Sequence, residues 1–131
     1  AGQRCGSLTR TTAMSSIMMI RRHEAKPFTI PGGVSGLLYP SSPNGDQTIA
    51  AVTQDGVYPA AGYSVNDVAT ETIYCLEGHM TVEANGEIHE LTPGDLCMVF
   101  PGTKYRITGT GKSIDLITPA WEKNKNQIVS E

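Results

Sequence analysis

The chain has 131 residues, enough for one domain and too few for two. A hydrophobic content of 39%, with 14 Gly and 8 Pro spread along the length, describes one core made of short strands and frequent turns rather than a helical bundle or a disordered tail. The net charge of −3 is unevenly laid out: no Lys or Arg lies between Lys26 and Lys104, while nine Asp or Glu fall there, so the body is acidic and nucleic acid is not expected as a partner.

No apolar run approaches the ~20 residues of a membrane span, and no membrane partner is expected. Cys5, Cys75 and Cys97 are odd in number and lack C-x-x-C spacing, which suits reduced thiols in a cytoplasm better than a disulfide framework or a zinc site. An anionic ligand would need Lys104, Arg106, Lys112 or the N-terminal Arg21, Arg22 and Lys26.

Residues 1–22 stand apart as an N-terminal arm or leader. They hold Arg4, Arg10, Arg21 and Arg22, many Ser and Thr and no acidic residue. This resembles a transit peptide without an apolar h-region; the plainer alternative is sequence ahead of a natural start at Met14, Met18 or Met19. With Ile17, Met18, Met19 and Ile20 as its apolar anchors, the arm is more easily ordered against a neighbouring subunit than alone. A homodimer is the expectation.

Residues 23–119 read as strands and turns. Apolar β-formers occur at Phe28–Ile30, Val34–Tyr39, Thr48–Thr53, Thr72–Leu76, Met80–Ala84, Glu87–Leu91, Leu96–Phe100, Tyr105–Thr108 and Ser113–Ile117. Turn signals part them at Pro31-Gly32-Gly33, Ser41–Asp46, Asp55-Gly56, Asn85-Gly86, Pro93-Gly94-Asp95, Pro101-Gly102 and Gly109–Gly111. Asn85-Gly86 is the strongest of these, because a two-residue type I′ hairpin needs positive φ at both positions. Nine short strands at this spacing predict an all-β sandwich or barrel. The polar tail, 120–131, is expected to hold a short helical turn around Trp121–Asn126.

Two ordered motifs sharpen the fold. Glu71, a six-residue spacer and Gly78 are followed by Gly86, a second six-residue spacer, Pro93-Gly94-Asp95 and then Pro101-Gly102-Thr103-Lys104-Tyr105. This spacing resembles the two motifs of the cupin superfamily over about residues 47–119. The resemblance implies a double-stranded β-helix, the jelly-roll barrel of two antiparallel sheets, usually dimeric. Metal-binding cupins carry His-x-His just before the Glu and another His closing the second motif. Here those places read Val65-Asn66-Asp67 or Ser64-Val65-Asn66, and Tyr105. Of the usual ligands Glu71 alone remains, so neither a metal nor another cofactor is expected.

Strand alternation puts Glu71, Ile73 and Cys75 on one face, and Tyr105 and Ile107 on one face of another strand. If the resemblance holds, those faces look into the barrel, where Glu71 as base and Tyr105 as acid would be the candidate catalytic pair. A carboxylate among apolar neighbours is expected to titrate high, which suits proton transfer near neutrality. Tyr63, Ser64, Asn66, Asp67 and Met98 are the candidate ligand-binding residues, the first three of them around the mouth. The implied function is small-molecule binding, with metal-independent isomerase, epimerase or lyase chemistry, a non-catalytic sensing module, or a structural dimer with a filled barrel as the readings left open. His23, His79 and His89 read as solvated side chains, and Trp121 as surface packing.

Overall fold

The structure is a computed structural model describing residues 16–130; most of the N-terminal arm lies outside the described residues. Nine strands run in chain order: β1 (Lys26–Ile30), β2 (Val34–Leu38), β3 (Thr48–Tyr58), β4 (Tyr63–Asn66), β5 (Thr70–Ala84), β6 (Glu87–Leu91), β7 (Leu96–Val99), β8 (Tyr105–Thr118) and β9 (Asn126–Val129). All pairings are antiparallel. Among the described residues, helix is confined to single 3₁₀ turns at Arg22–Glu24 and Lys123–Lys125.

The architecture hangs on two long strands, β5 and β8, paired from Thr70↔Thr118 to Ala84↔Tyr105. At one end β7 joins the first half of β5; β3 runs along β8 from Ile117 to Ile107, and β2 and then β1 extend from the first half of β3. At the other end β6 joins the second half of β5, while β4 and then β9 join the start of β8. The long ladder folds over near its middle, and its halves become the two facing sheets of a jelly-roll barrel. Gly78 and Gly111 face each other at the crease. A Cβ on Gly78 would run into the backbone carbonyl of Thr110, and one on Gly111 into that of Glu77, so the strands approach there as closely as backbones can.

The crease coincides with a β-bulge between Cys75 and Glu77. Before it Ile73 and Cys75 are buried; after it Met80 and Val82 are. The inward set thus changes from odd to even numbers within one strand, because the extra residue shifts the alternation. Along β8, Tyr105, Ile107, Ser113 and Ile117 stay inward throughout. Ile73, Cys75, Met80, Val82, Tyr105 and Ile107 join Leu91 and Val99 in the apolar core.

Three sequence expectations differ from what folds. Gly109–Gly111 and Asp55-Gly56 lie inside β8 and β3 rather than in turns, since glycine here serves close strand approach. The expected helical turn in the tail is the 3₁₀ turn at Lys123–Lys125, but Asn126 leaves it to begin β9, which pairs with β4. Both β4 and the edge strand β9 lay outside the predicted set. Asn85-Gly86 does turn the β5–β6 hairpin, with φ of 51° and 80°.

Candidate functional site

Glu71 stands near the start of β5, opposite Val99 of β7 and Ile117 of β8. Tyr105 opens β8 in the other sheet, paired with Ala84 and Ser64. Along an extended strand Tyr105 and Ile117 would lie about 40 Å apart. The crease instead brings the two ends of the ladder face to face, and the Tyr105 hydroxyl donates to Glu71 Oε1 at 2.7 Å.

More polar groups gather around this bond. Tyr58, at the end of β3, packs its ring on that of Tyr105 with centroids 6.1 Å apart, and its hydroxyl lies 3.1 Å from Ser64 Oγ. Ser64, fully buried, accepts a hydrogen bond from Asn126 Nδ2 at 3.3 Å. Asp115, on the inward side of β8 between Ser113 and Ile117, accepts one from Ser113 Oγ at 2.9 Å. Glu71 and Asp115 keep partial solvent access though protein surrounds them, as groups on the wall of an interior do.

Burial sets the electrostatics. It pushes the Glu71 carboxyl above the usual carboxylate range, against the Tyr105 hydrogen bond, which favours the ionised form. Asp115 is pushed up to about 8, first by burial and then by the charge of Glu71. Tyr105 titrates well above an ordinary phenol, through burial and then Glu71; Tyr58 is raised by burial. Cys97, beside Ile73 in the ladder, is raised by burial and then by Glu71, so its thiol stays protonated.

The other candidates divide. Ser64 joins the interior through Tyr58. Asn66 turns to its own loop, where Oδ1 accepts from the amides of Val68 and Ala69 at 2.9 and 2.8 Å. Asp67 is exposed beside Gly102. Tyr63 donates to Glu83 Oε2 at 3.1 Å and carries the Arg106 guanidinium over its ring at 4.3 Å; it lines a separate shallow depression with Glu83, Asn85, Gly86 and Lys104. Met98 sits opposite Thr72 on the outer face, 52% exposed, because inward Cys97 and Val99 flank it. The structure thus places Met98 outside the barrel, a correction to its expected place among the ligand-binding residues.

Sequence reasoning missed Tyr58 and Asp115. Asp115 carried a signal: in Ser113–Ile117, alternation sets it with Ser113 and Ile117 and opposite Ile114 and Leu116. Tyr58 carried none, since it lies beyond a glycine read as a turn.

The donor set does not fit a transition metal. Among the described residues no three His, Cys, Asp or Glu side chains converge. His79 pairs with Glu90 and His89 with Glu87 at 3.0 Å on the exposed β5–β6 hairpin, and His23 is exposed in the N-terminal turn.

Residues 59–117 match the family model of the cupin domain, and solved cupins share the barrel. The chain carries a cupin domain. Its cupin fold is shared with a nucleoside dehydratase at a TM-score of 0.77 and 18% identity, covering 88% of this chain and 92% of that one; variants of the Streptomyces protein were solved with uridine. An RmlC-like cupin of Shewanella frigidimarina superposes at 0.67 with 23% identity, over 83% of this chain and 96% of its own. The KdgF structure from a Halomonas species gives 0.66 and 21%, over 83% and 98%. At these identities the likeness is one of fold. No curated protein matches the chain in sequence.

Proposed function

We propose that this cupin binds a small molecule in the barrel interior and acts on it by metal-independent acid–base chemistry of the lyase or isomerase kind. The observation that carries the reading is the hydrogen bond of 2.7 Å between Glu71 and Tyr105, formed across the two sheets where solvent still reaches the carboxyl. A carboxyl raised by burial is suited to take and return a proton near neutrality. Tyr105 holds the carboxylate in place with its one hydroxyl proton, and once Glu71 has taken up a proton that hydroxyl is released to donate to a developing oxyanion. Ser64 and Tyr58 add uncharged polar contacts. The fold neighbours include an enzyme that dehydrates a nucleoside, chemistry of the same acid–base class.

The test is incubation with uridine first, then with other hydroxylated carbonyl compounds, read by mass spectrometry for loss of water or for an isomeric product. Glu71→Gln should lower turnover about 10²-fold or more with the fold intact. Binding without any product in the wild type would favour the alternative, a non-catalytic sensing module.

The reading includes a cytoplasmic homodimer. Cys75 and Cys97 are free thiols, and no helix among the described residues is long and apolar enough to cross a membrane. An apolar outer face and the exposed Ile17, Met18 and Met19 of the arm support pairing of two copies.

A further inference from the structure

One inward titratable group has no part in the chemistry above. Asp115 stands opposite Ile73 of β5 and Ala50 of β3. Glu71 lies two positions from Ile73 on the same face, so the two carboxyls are diagonal neighbours across one ladder, at roughly 7–8 Å or less. The titratable groups facing them are Tyr105 from the start of β8, Tyr58 from β3 and Cys97 from β7. Among the described residues the cations are elsewhere. Arg21, Arg22, Lys26, Lys104, Lys112, Lys123 and Lys125 are exposed, and Arg106 points outward to the Gly62 carbonyl, the Tyr63 ring and Glu83.

We propose that Asp115 is a further ligand-contacting group of this site, and that the two carboxyls together restrict the ligand to neutral or cationic hydroxyl-bearing molecules. The inference rests on the reading that the interior binds a small molecule. A phosphate or carboxylate entering here would meet like charge with no facing cation among the described residues, in surroundings where such repulsion is poorly screened. A hydroxyl fits, because one ionised and one protonated carboxyl offer it an acceptor and a donor at once. The raised titration of Asp115 agrees with that division near neutrality. In an elimination, Glu71 takes the proton from carbon, the C–H electron pair forms the double bond, and the carbon–oxygen bond breaks. The leaving hydroxyl departs as water with the proton of Asp115. Solvent then carries a proton from Glu71 back to Asp115, so the pair ends as it began.

The experiment is NMR of the full chain with labelled carboxyl carbons, titrated with matched probes: uridine against uridine monophosphate, and glucose and glucosamine against glucuronate. Neutral or cationic members should shift the Glu71 and Asp115 resonances and bind about tenfold or more tightly than their anionic partners. Asp115→Asn should narrow that gap. Anionic probes binding as well as neutral ones would overturn the inference, as would an unchanged gap in Asp115→Asn, or no neutral or cationic probe shifting either carboxyl. Should the variant not fold, the wild-type series decides alone. Selective binding without turnover supports this inference while removing the catalytic reading.

Discussion

Tyr105 keeps its proton more firmly than a phenol in water, since burial and the charge of Glu71 both oppose a phenolate. It therefore serves Glu71 as a donor. Tyr105→Phe should raise the Glu71 titration further, because the lost hydrogen bond favoured the carboxylate, and should cost about 1–3 kcal/mol of stability; carboxyl-carbon NMR and denaturant unfolding read the two effects. Asp115 gives a pH dependence of definite sign. Folded, it holds a proton to about 8 that an ordinary aspartate in the unfolded chain releases at 3.8. Its contribution is thus fully present below that lower value, falls as pH climbs through the interval, and is gone above about 8. Thermal unfolding of Asp115→Asn across pH 5–9 should show a shallower decline than the wild type; an equal slope would contradict the protonated Asp115. At this scale the sequence was legible where spacing fixed position, at Glu71 and Tyr105. It was silent where burial depends on the far sheet, as at Tyr58.

Among elements, the hairpin at Asn85-Gly86 was readable because a two-residue turn is a local matter of φ. The unity of β5 and of β8 was not readable. Gly78 and Gly109–Gly111 look like breaks, and only the facing strand shows that they let two backbones meet. β4 and β9 are four residues each, too short for alternation to declare itself, and β9 pairs with β4 alone. The crease makes a direct prediction: Gly111→Ala sets a methyl group against the Glu77 carbonyl and near Met80. It should lower the stability by about 1–3 kcal/mol, measured by denaturant midpoint. A neutral outcome would mean that the crease has room.

For the whole molecule, the outer side of the first sheet is the conspicuous surface. In register across it run Leu37, Ala51, Ile114, Tyr74 and Leu96, with Ile49, Leu116, Thr72 and Met98 in the next row. Tyr74 is 40% and Leu96 54% exposed. A contiguous apolar face of this kind marks an interaction site, and a second copy would cover it symmetrically. Sedimentation velocity should find a dimer at micromolar concentration, and Leu96→Lys with Met98→Glu should shift it to monomer with the barrel intact. A monomeric wild type would refute the pairing.

The bulge at Leu76 has a consequence for how the chain tolerates change. Strand β5 carries two reading frames in fifteen residues, odd positions inward up to Cys75 and even positions inward from Met80, with one unpaired residue as the switch between them. Removing that residue would force a choice. Either Met80 and Val82 stay in the core and Glu71 turns out to water, or Glu71 stays and the core is exposed. Many substitutions at Leu76 should be harmless, since its side chain is 46% exposed, whereas a one-residue gap there would turn one half of the strand inside out. The count of residues, more than their identity, keeps the carboxylate indoors.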